Sequence, residues 1–100
     1  MNSINLDTNS KNIISCILNK NLSPQIKVYV FGSRAKCTSK QYADLDLALE
    51  SDEIIDSTII DKLHIEFEDS MLPFKVDIID LKNIDEDFYN AIVNDLVIWN

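Results

Sequence analysis

Two aspartates spaced two residues apart are the feature of this sequence best suited to chemistry. Asp44 and Asp46 lie in the stretch DLDLAL, where polar and apolar residues alternate with the two-residue period of a β-strand. The carboxylates are therefore predicted to share one face, with Leu45 and Leu47 on the other. Like charges this close repel each other unless a cation lies between them. The pair predicts a metal site, although a solvent-facing strand is the simpler reading of the two aspartates taken alone.

The single glycine of the chain precedes that pair. Gly32 follows the apolar run VYVF and is followed by Ser33. Glycine allows the backbone to adopt positive φ or to approach a ligand closely, and the first turn of a following helix offers unpaired N–H groups to an anion. We expect a short polar helix over residues 33–37 and a loop over 38–42. A phosphate-binding turn beside paired carboxylates indicates a metal–nucleotide site.

A third acid lies in an apolar strand further along the chain. Asp77 stands between Val76 and Ile78 in the stretch FKVDIIDL. Burying a carboxylate there is costly unless a partner or a cation compensates its charge. Asp80, near the end of the same stretch, is interpreted as a strand-end or turn residue.

The rest of the sequence alternates helices and strands that position these acids. Apolar residues at three- and four-residue spacing predict helices, and β-branched or alternating stretches predict strands. The predicted helices span 10–22, capped by Asn9 or Ser10, then 57–71 and 86–94, and the predicted strands span 26–31, 43–49, 74–81 and 96–99. This alternation implies an α/β fold. We expect a flexible N-terminus over residues 1–9 and a single domain over 10–100.

Composition restricts the partners of such a domain. The chain has 100 residues and a net charge of −8, which disfavours direct binding of long nucleic acid. Cys16 and Cys37 do not have a metal-ligand spacing and are expected to be reduced thiols. No apolar run has the length of a membrane span, and the first residues do not resemble a secretion signal. We therefore expect a cytoplasmic protein without a membrane partner.

The stretch GSRAKCTSKQYADLDLAL resembles the signature of the DNA polymerase β superfamily of nucleotidyltransferases. The similarity is closer to its smallest branch, the minimal nucleotidyltransferases (MNT), which are antitoxin partners of HEPN-domain toxins. The resemblance extends over residues 28–99 and includes a later V-D-x-x-D-L block. It implies a mixed β-sheet of about four strands with helices packed on it.

The resemblance also implies a nucleotide-binding role for the turn. Gly32 and Ser33 would hold the β- and γ-phosphates of a nucleoside triphosphate through backbone N–H groups and the serine hydroxyl. Arg34 would steady the phosphate charge. The sequence departs from the family pattern at Cys37, where a second glycine is common, and at Ala43, where a serine is common.

The same resemblance assigns the metal ligands. Asp44, Asp46 and Asp77 would form a catalytic site for two Mg²⁺ ions. Asp77 would also orient or deprotonate the incoming hydroxyl. Neither departure from the family pattern removes one of these ligands.

The activity implied by the resemblance is transfer of AMP from ATP to a tyrosine hydroxyl of a cognate HEPN toxin, which silences that ribonuclease. A domain of 100 residues leaves little material for an acceptor cleft, so a second chain, in a homo- or hetero-oligomer, is expected to complete the site. One alternative is a catalytically inactive module that neutralises its partner by contact. Another is a phosphoacceptor domain with an acidic Mg²⁺ pocket, which would leave the Gly-Ser turn unexplained.

Overall fold

The computed structural model describes residues 6–32, 34 and 43–99. These residues form three helices and four strands, which confirms the predicted mixture of helices and strands. The elements are α1 (Thr8–Asn21), β1 (Lys27–Phe31), β2 (Leu45–Glu50), α2 (Ser57–Glu68), β3 (Val76–Asp80), α3 (Glu86–Ile92), a 3₁₀ turn (Val93–Asp95) and β4 (Val97–Ile98). The short helix and loop predicted over 33–42, which include Ser33 and Cys37, lie outside the described residues.

The four strands form one mixed sheet in the order β3-β2-β1-β4. β1 pairs antiparallel with β2 and with β4, whereas β2 pairs parallel with β3. A parallel pair needs a crossover connection, and here that connection contains α2. The mixed four-stranded sheet implied by the family resemblance is confirmed.

One face of this sheet is covered by helices and forms the core. Leu45, Leu47 and Leu49 of β2 are fully buried, because alternation along a strand sends every second side chain to the same face. Val30 of β1 stands opposite Leu47 in the register and is also fully buried. The core cluster consists of Ile14, Leu18, Val30, Leu45, Leu47, Leu49, Ile55, Leu63, Phe67, Val76 and Ile78. The alternate residues of these strands therefore lie on the other face.

The first helix begins earlier than its predicted start. It starts at Thr8, and its N-cap is Asp7, whose side chain accepts a hydrogen bond from the Ser10 N–H at 2.7 Å. Aspartate is a strong N-cap, and Asp7 lies further ahead of the apolar stripe of the helix than the predicted caps Asn9 and Ser10. The flexible N-terminus predicted over 1–9 extends beyond the described residues, so it stays a prediction.

The second helix ends earlier than predicted. It stops at Glu68, where the Ser70 hydroxyl donates a 2.6 Å hydrogen bond to the Phe67 carbonyl. The helix predicted over 57–71 would have included Met71 as its last residue, but Met71 lies beyond α2 and is 88% exposed. The serine closes the last turn before the helix can carry Met71 onto the core face. No helix in the described ranges has the length and apolar character needed to cross a membrane.

Asp80 joins the end of the sheet to the loop that leads into α2. Its side chain is buried, and its carboxylate accepts hydrogen bonds from the Ile55 N–H at 2.7 Å and the Lys82 N–H at 2.9 Å. This geometry agrees with its interpretation as a strand-end residue. It also explains how a buried carboxylate is tolerated, because both oxygens have backbone donors.

We expect Asp80→Ala to lower the free energy of unfolding by about 2–4 kcal/mol, because two backbone N–H groups lose a charged acceptor. Asp80→Asn should lose less, since its amide oxygen keeps one acceptor. Urea denaturation measures both changes, with the exposed-loop variant Asp52→Ala as the control. Equal losses for the alanine and asparagine variants would show that these hydrogen bonds do not stabilise the fold.

Candidate active site

Asp46 and Asp77 stand side by side on neighbouring parallel strands. They are direct partners in the register of β2 and β3, and such strands lie about 4.8 Å apart. Partnered residues project to the same face of a sheet, so both carboxylates lie opposite the helix-covered core. Both side chains are partly exposed. The third acid of the predicted site is therefore brought to the same surface as Asp46.

Asp44 lies next to this pair but outside the strand. The predicted strand begins at residue 43, whereas β2 begins at Leu45, so strand alternation alone does not set the direction of the exposed Asp44 side chain. Its charge nevertheless reaches Asp46. Burial raises the pKa of Asp46 above its usual value, and the neighbouring charges of Asp77 and Asp44 raise that pKa further. The three carboxylates thus form one negatively charged cluster, which a cation would stabilise.

Gly32 touches this cluster directly. Its φ is +76°, in the left-handed region that glycine occupies without steric cost. A Cβ atom added at Gly32 would stand 2.5 Å from Oδ2 of Asp46, which is well inside van der Waals contact. Glycine is therefore favoured here by its backbone conformation, and any side chain at this position would displace the Asp46 carboxylate. The turn and the acids predicted from the sequence are adjacent in space.

Arg34 lies close to the same turn but its side chain is buried, with 4% exposure. Its Nε and Nη2 donate to the Ala43 carbonyl at 3.0 and 2.9 Å, and its Cζ lies 4.2 Å from the centroid of the Phe74 ring. Burial lowers the pKa of Arg34, while the charge of Asp7 acts in the opposite direction. An arginine stays protonated at physiological pH, so this is a buried cation with protein partners.

The donor set fits Mg²⁺. The fit rests on the direct pairing of Asp46 with Asp77 and on the charge of Asp44, which acts on Asp46, because this cation prefers carboxylate oxygens. In residues 6–32, 34 and 43–99, no three acidic, histidine or cysteine side chains converge closely enough to enclose a metal ion. A cation bound here would take further ligands from water and from substrate phosphates, as Mg²⁺ commonly does.

A lysine that sequence reasoning missed also borders the cluster. Nζ of Lys75 lies 3.8 Å from Oδ1 of Asp77, with the lysine side chain largely exposed and the aspartate side chain partly exposed. An exposed ion pair of this length contributes little to stability. The two-residue spacing of Lys75 and Asp77 along one strand edge is the signal that predicts such a neighbour.

The three acids are absent from the linings of two sizeable cavities. One of about 300 Å³ lies between the end of α2 and the segment before β3, with Phe67 and Phe74 in its lining. Another of about 580 Å³ lies between α1 and the β1–β4 edge, with Leu18 and Trp99 in its lining. The acidic cluster stands instead on the sheet face opposite the core.

Comparison with known families decides how this site is classified. The family described as "Polymerase beta, Nucleotidyltransferase" matches residues 11–100. The chain belongs to this nucleotidyltransferase family. The Gly-Ser turn, the paired aspartates and the later aspartate that carry the sequence resemblance all fall within the matched region.

A curated relative narrows the placement within the nucleotidyltransferases. The chain is 42% identical over 80 residues to "Probable protein adenylyltransferase MntA" of Haemophilus influenzae, covering 80% of this chain and 69% of that protein. This similarity confirms the resemblance to the minimal nucleotidyltransferases. The chain spans about two thirds of the length of that relative.

Solved structures share the fold of this nucleotidyltransferase. A toxin–antitoxin crystal structure with AMP-PNP superposes with a TM-score of 0.73 at 24% identity, covering 90% of this chain and 72% of that one. One chain of the structure described as "tri-AMPylated Shewanella oneidensis HEPN toxin in complex with MNT antitoxin" superposes with a TM-score of 0.68 at 22% identity, covering 95% of this chain and 72% of that one. The fold described above is therefore shared with chains of solved toxin–antitoxin structures.

Proposed function

We propose that this nucleotidyltransferase is a Mg²⁺-dependent protein adenylyltransferase that transfers AMP from ATP to a tyrosine hydroxyl of a cognate HEPN-domain toxin. The observation that carries the proposal is the direct pairing of Asp46 with Asp77 beside the Gly32 turn. The adenylyltransferase similar in sequence supports the reaction type. The AMP-PNP complex and the tri-AMPylated HEPN toxin among the similar structures support the nucleotide and the partner.

Each residue has a defined part in the proposed transfer. Gly32 and Ser33 hold the triphosphate through the turn and through the N–H groups of the short helix predicted over residues 33–37, and Arg34 supports that turn. Asp44, Asp46 and Asp77 are the ligands for Mg²⁺, which supplies electrostatic stabilisation of the phosphoryl oxygens when bound.

The bond changes of this reaction are those of an in-line displacement. The tyrosine oxygen forms a bond to the α-phosphorus of ATP, the bond from that phosphorus to the bridging oxygen breaks, and pyrophosphate leaves. Asp77 lies on the edge strand β3, where an acceptor hydroxyl can reach it, and it orients that hydroxyl or takes its proton. The product is a tyrosine that carries AMP through its oxygen.

The placement of the cluster also supports a role for a second chain. Asp46 and Asp77 lie on the face of the sheet opposite the helix-covered core, and both are partly exposed. We propose that residues 10–100 act as one domain, that the toxin brings the acceptor tyrosine to this face, and that the reaction takes place in the cytoplasm, where ATP is abundant.

The test is incubation of the chain with labelled ATP, Mg²⁺ and the product of the adjacent reading frame, which we expect to be a HEPN-domain toxin. We expect label on the toxin, located to tyrosine by mass spectrometry. The double variant Asp44→Asn plus Asp46→Asn should transfer no label, whereas the matched exposed variant Asp61→Asn should transfer it normally. Absence of label with the wild-type chain would overturn the proposal. Protection of cells by the double variant would instead indicate neutralisation by contact.

A further inference from the structure

Arg34 is the only arginine in the chain, and it is buried at the centre of the segments that carry the acidic cluster. Arginine side chains are rarely buried unless their charge is compensated. With 4% exposure, the side chain is withdrawn from solvent although it lies two residues after the Gly32 turn. The contacts of the Arg34 guanidinium therefore indicate the role of this residue.

The first contact is with the backbone that leads into β2. Nε and Nη2 both donate to the carbonyl oxygen of Ala43, at 3.0 and 2.9 Å. Ala43 immediately precedes Asp44. Because the guanidinium is planar and its donors have a fixed relative geometry, two donors on one oxygen hold that peptide in place. Arg34 and Ala43 flank residues 35–42, so the hydrogen bonds join the chain on the two sides of that stretch.

The second contact is with the segment that leads into β3. The guanidinium carbon of Arg34 lies 4.2 Å from the centroid of the Phe74 ring, which is within the range of a cation–π interaction. Phe74 precedes Asp77 by three residues. The Leu45 N–H also donates to the Lys75 carbonyl at 2.9 Å, so the segments before β2 and before β3 are joined beside this arginine.

We propose that Arg34 is a positioning residue, which sets the separation of Asp44, Asp46 and Asp77 relative to the Gly32 turn and does not bind the triphosphate itself. Two of its N–H groups donate to the Ala43 carbonyl, and the guanidinium lies over the Phe74 ring. The side chain is only 4% exposed, so a phosphate in solution has little access to the guanidinium. This assignment replaces the phosphate-binding role that the family resemblance implies for Arg34.

Amide hydrogen exchange tests the proposal without relying on the enzymatic reaction. In Arg34→Lys, which keeps the charge but lacks the planar fork, we expect the Leu45 amide to exchange at least about tenfold faster, because opening of this end of the β2–β3 pair costs less free energy. The Leu81 amide, bonded to the Leu49 carbonyl at 3.0 Å at the far end of that pair, should exchange as in the wild type. Phe74→Leu removes the ring and should accelerate the same amide to a smaller extent.

A kinetic experiment separates positioning from phosphate binding, and it rests on the proposed adenylyl transfer. Misplacement of reacting groups by about 1 Å can cost roughly a hundredfold in rate. We therefore expect Arg34→Lys to lower kcat by about 10–100-fold while KM for ATP changes by less than about threefold. The matched control is Lys62→Met, which removes one exposed positive charge of α2 and should change neither quantity.

The two experiments distinguish failure of the inference from failure of the proposed function. Unchanged Leu45 exchange in Arg34→Lys and in Phe74→Leu would overturn the positioning role, whatever the reaction is. A KM for ATP raised tenfold or more with kcat unchanged would also overturn it and would indicate that Arg34 binds the triphosphate. Absence of transfer by the wild-type chain would contradict only the proposed function, because the exchange measurement would still decide the role of Arg34. If Arg34→Lys does not fold, Phe74→Leu supplies both measurements.

Discussion

Asp46→Asn should reduce adenylyl transfer by about a thousandfold or more. The carboxylate lies between the Gly32 turn and Asp77, so its removal takes away the proposed metal ligand at the centre of the cluster. Electrostatic stabilisation at such centres is worth several kcal/mol, and each 1.36 kcal/mol corresponds to a factor of ten in rate. Initial rates with labelled ATP measure the loss, and Asp61→Asn on the exposed face of α2 is the matched control.

The same substitution should not damage the fold. Because the pKa of Asp46 is raised above 3.8 by burial and by Asp77 and Asp44, the folded state binds more protons than the unfolded state at pH values just above 3.8. Stability therefore falls as the pH rises through the raised pKa, and the full penalty is present at neutral pH. Without divalent ions, Asp46→Asn should have a Tm at pH 7 at least equal to that of the wild type, and this advantage should shrink toward pH 3.8.

Two outcomes would contradict this account of Asp46. A variant that retains transfer within about tenfold of the wild type would exclude Asp46 as an essential ligand, by the rate arithmetic above. A Tm at pH 7 well below that of the wild type would show that the carboxylate stabilises the apo fold. Added Mg²⁺ should raise the Tm of the wild type and not that of Asp46→Asn.

Gly32→Ala should lower transfer by about a hundredfold while reducing stability only moderately. The substitution puts a side chain at φ +76°, which costs about 1–2 kcal/mol. It also places a Cβ 2.5 Å from Oδ2 of Asp46. The carboxylate can rotate away to relieve this contact, but that rotation displaces the oxygen on which the proposed reaction depends. Small displacements of this kind can cost about a hundredfold in rate.

Gly32→Asn separates the two effects of that substitution. Asparagine tolerates the left-handed conformation better than alanine, yet it carries the same Cβ atom. We expect Gly32→Asn to be more stable than Gly32→Ala in urea denaturation and to be equally impaired in transfer. Recovery of activity in the asparagine variant would mean that backbone strain, and not the contact with Asp46, causes the loss.

Much of the site could be predicted because its signals are local. Gly32 is the one glycine of the chain, and a left-handed turn after an apolar strand requires that residue. The alternation around Asp46 assigns it to the face opposite the leucines, and the structure agrees. Asp44 differs because β2 begins only at Leu45. The helix cap Asp7 and the closing hydrogen bond of Ser70 were missed because several polar residues lie near each helix end.

The partnership of Asp46 with Asp77 and the direction of Arg34 depend on residues far apart in the chain. The register of β2 against β3 results from burial of the leucines of β2 with Val76 and Ile78 in one core, and a one-residue shift would have sent Asp77 to the opposite face. Arg34 contacts both the Ala43 carbonyl and the Phe74 ring, and these two groups are brought together by the pairing of those strands. Local pattern thus determined which residue types stand on which face, whereas the packing of the core decided which of them meet.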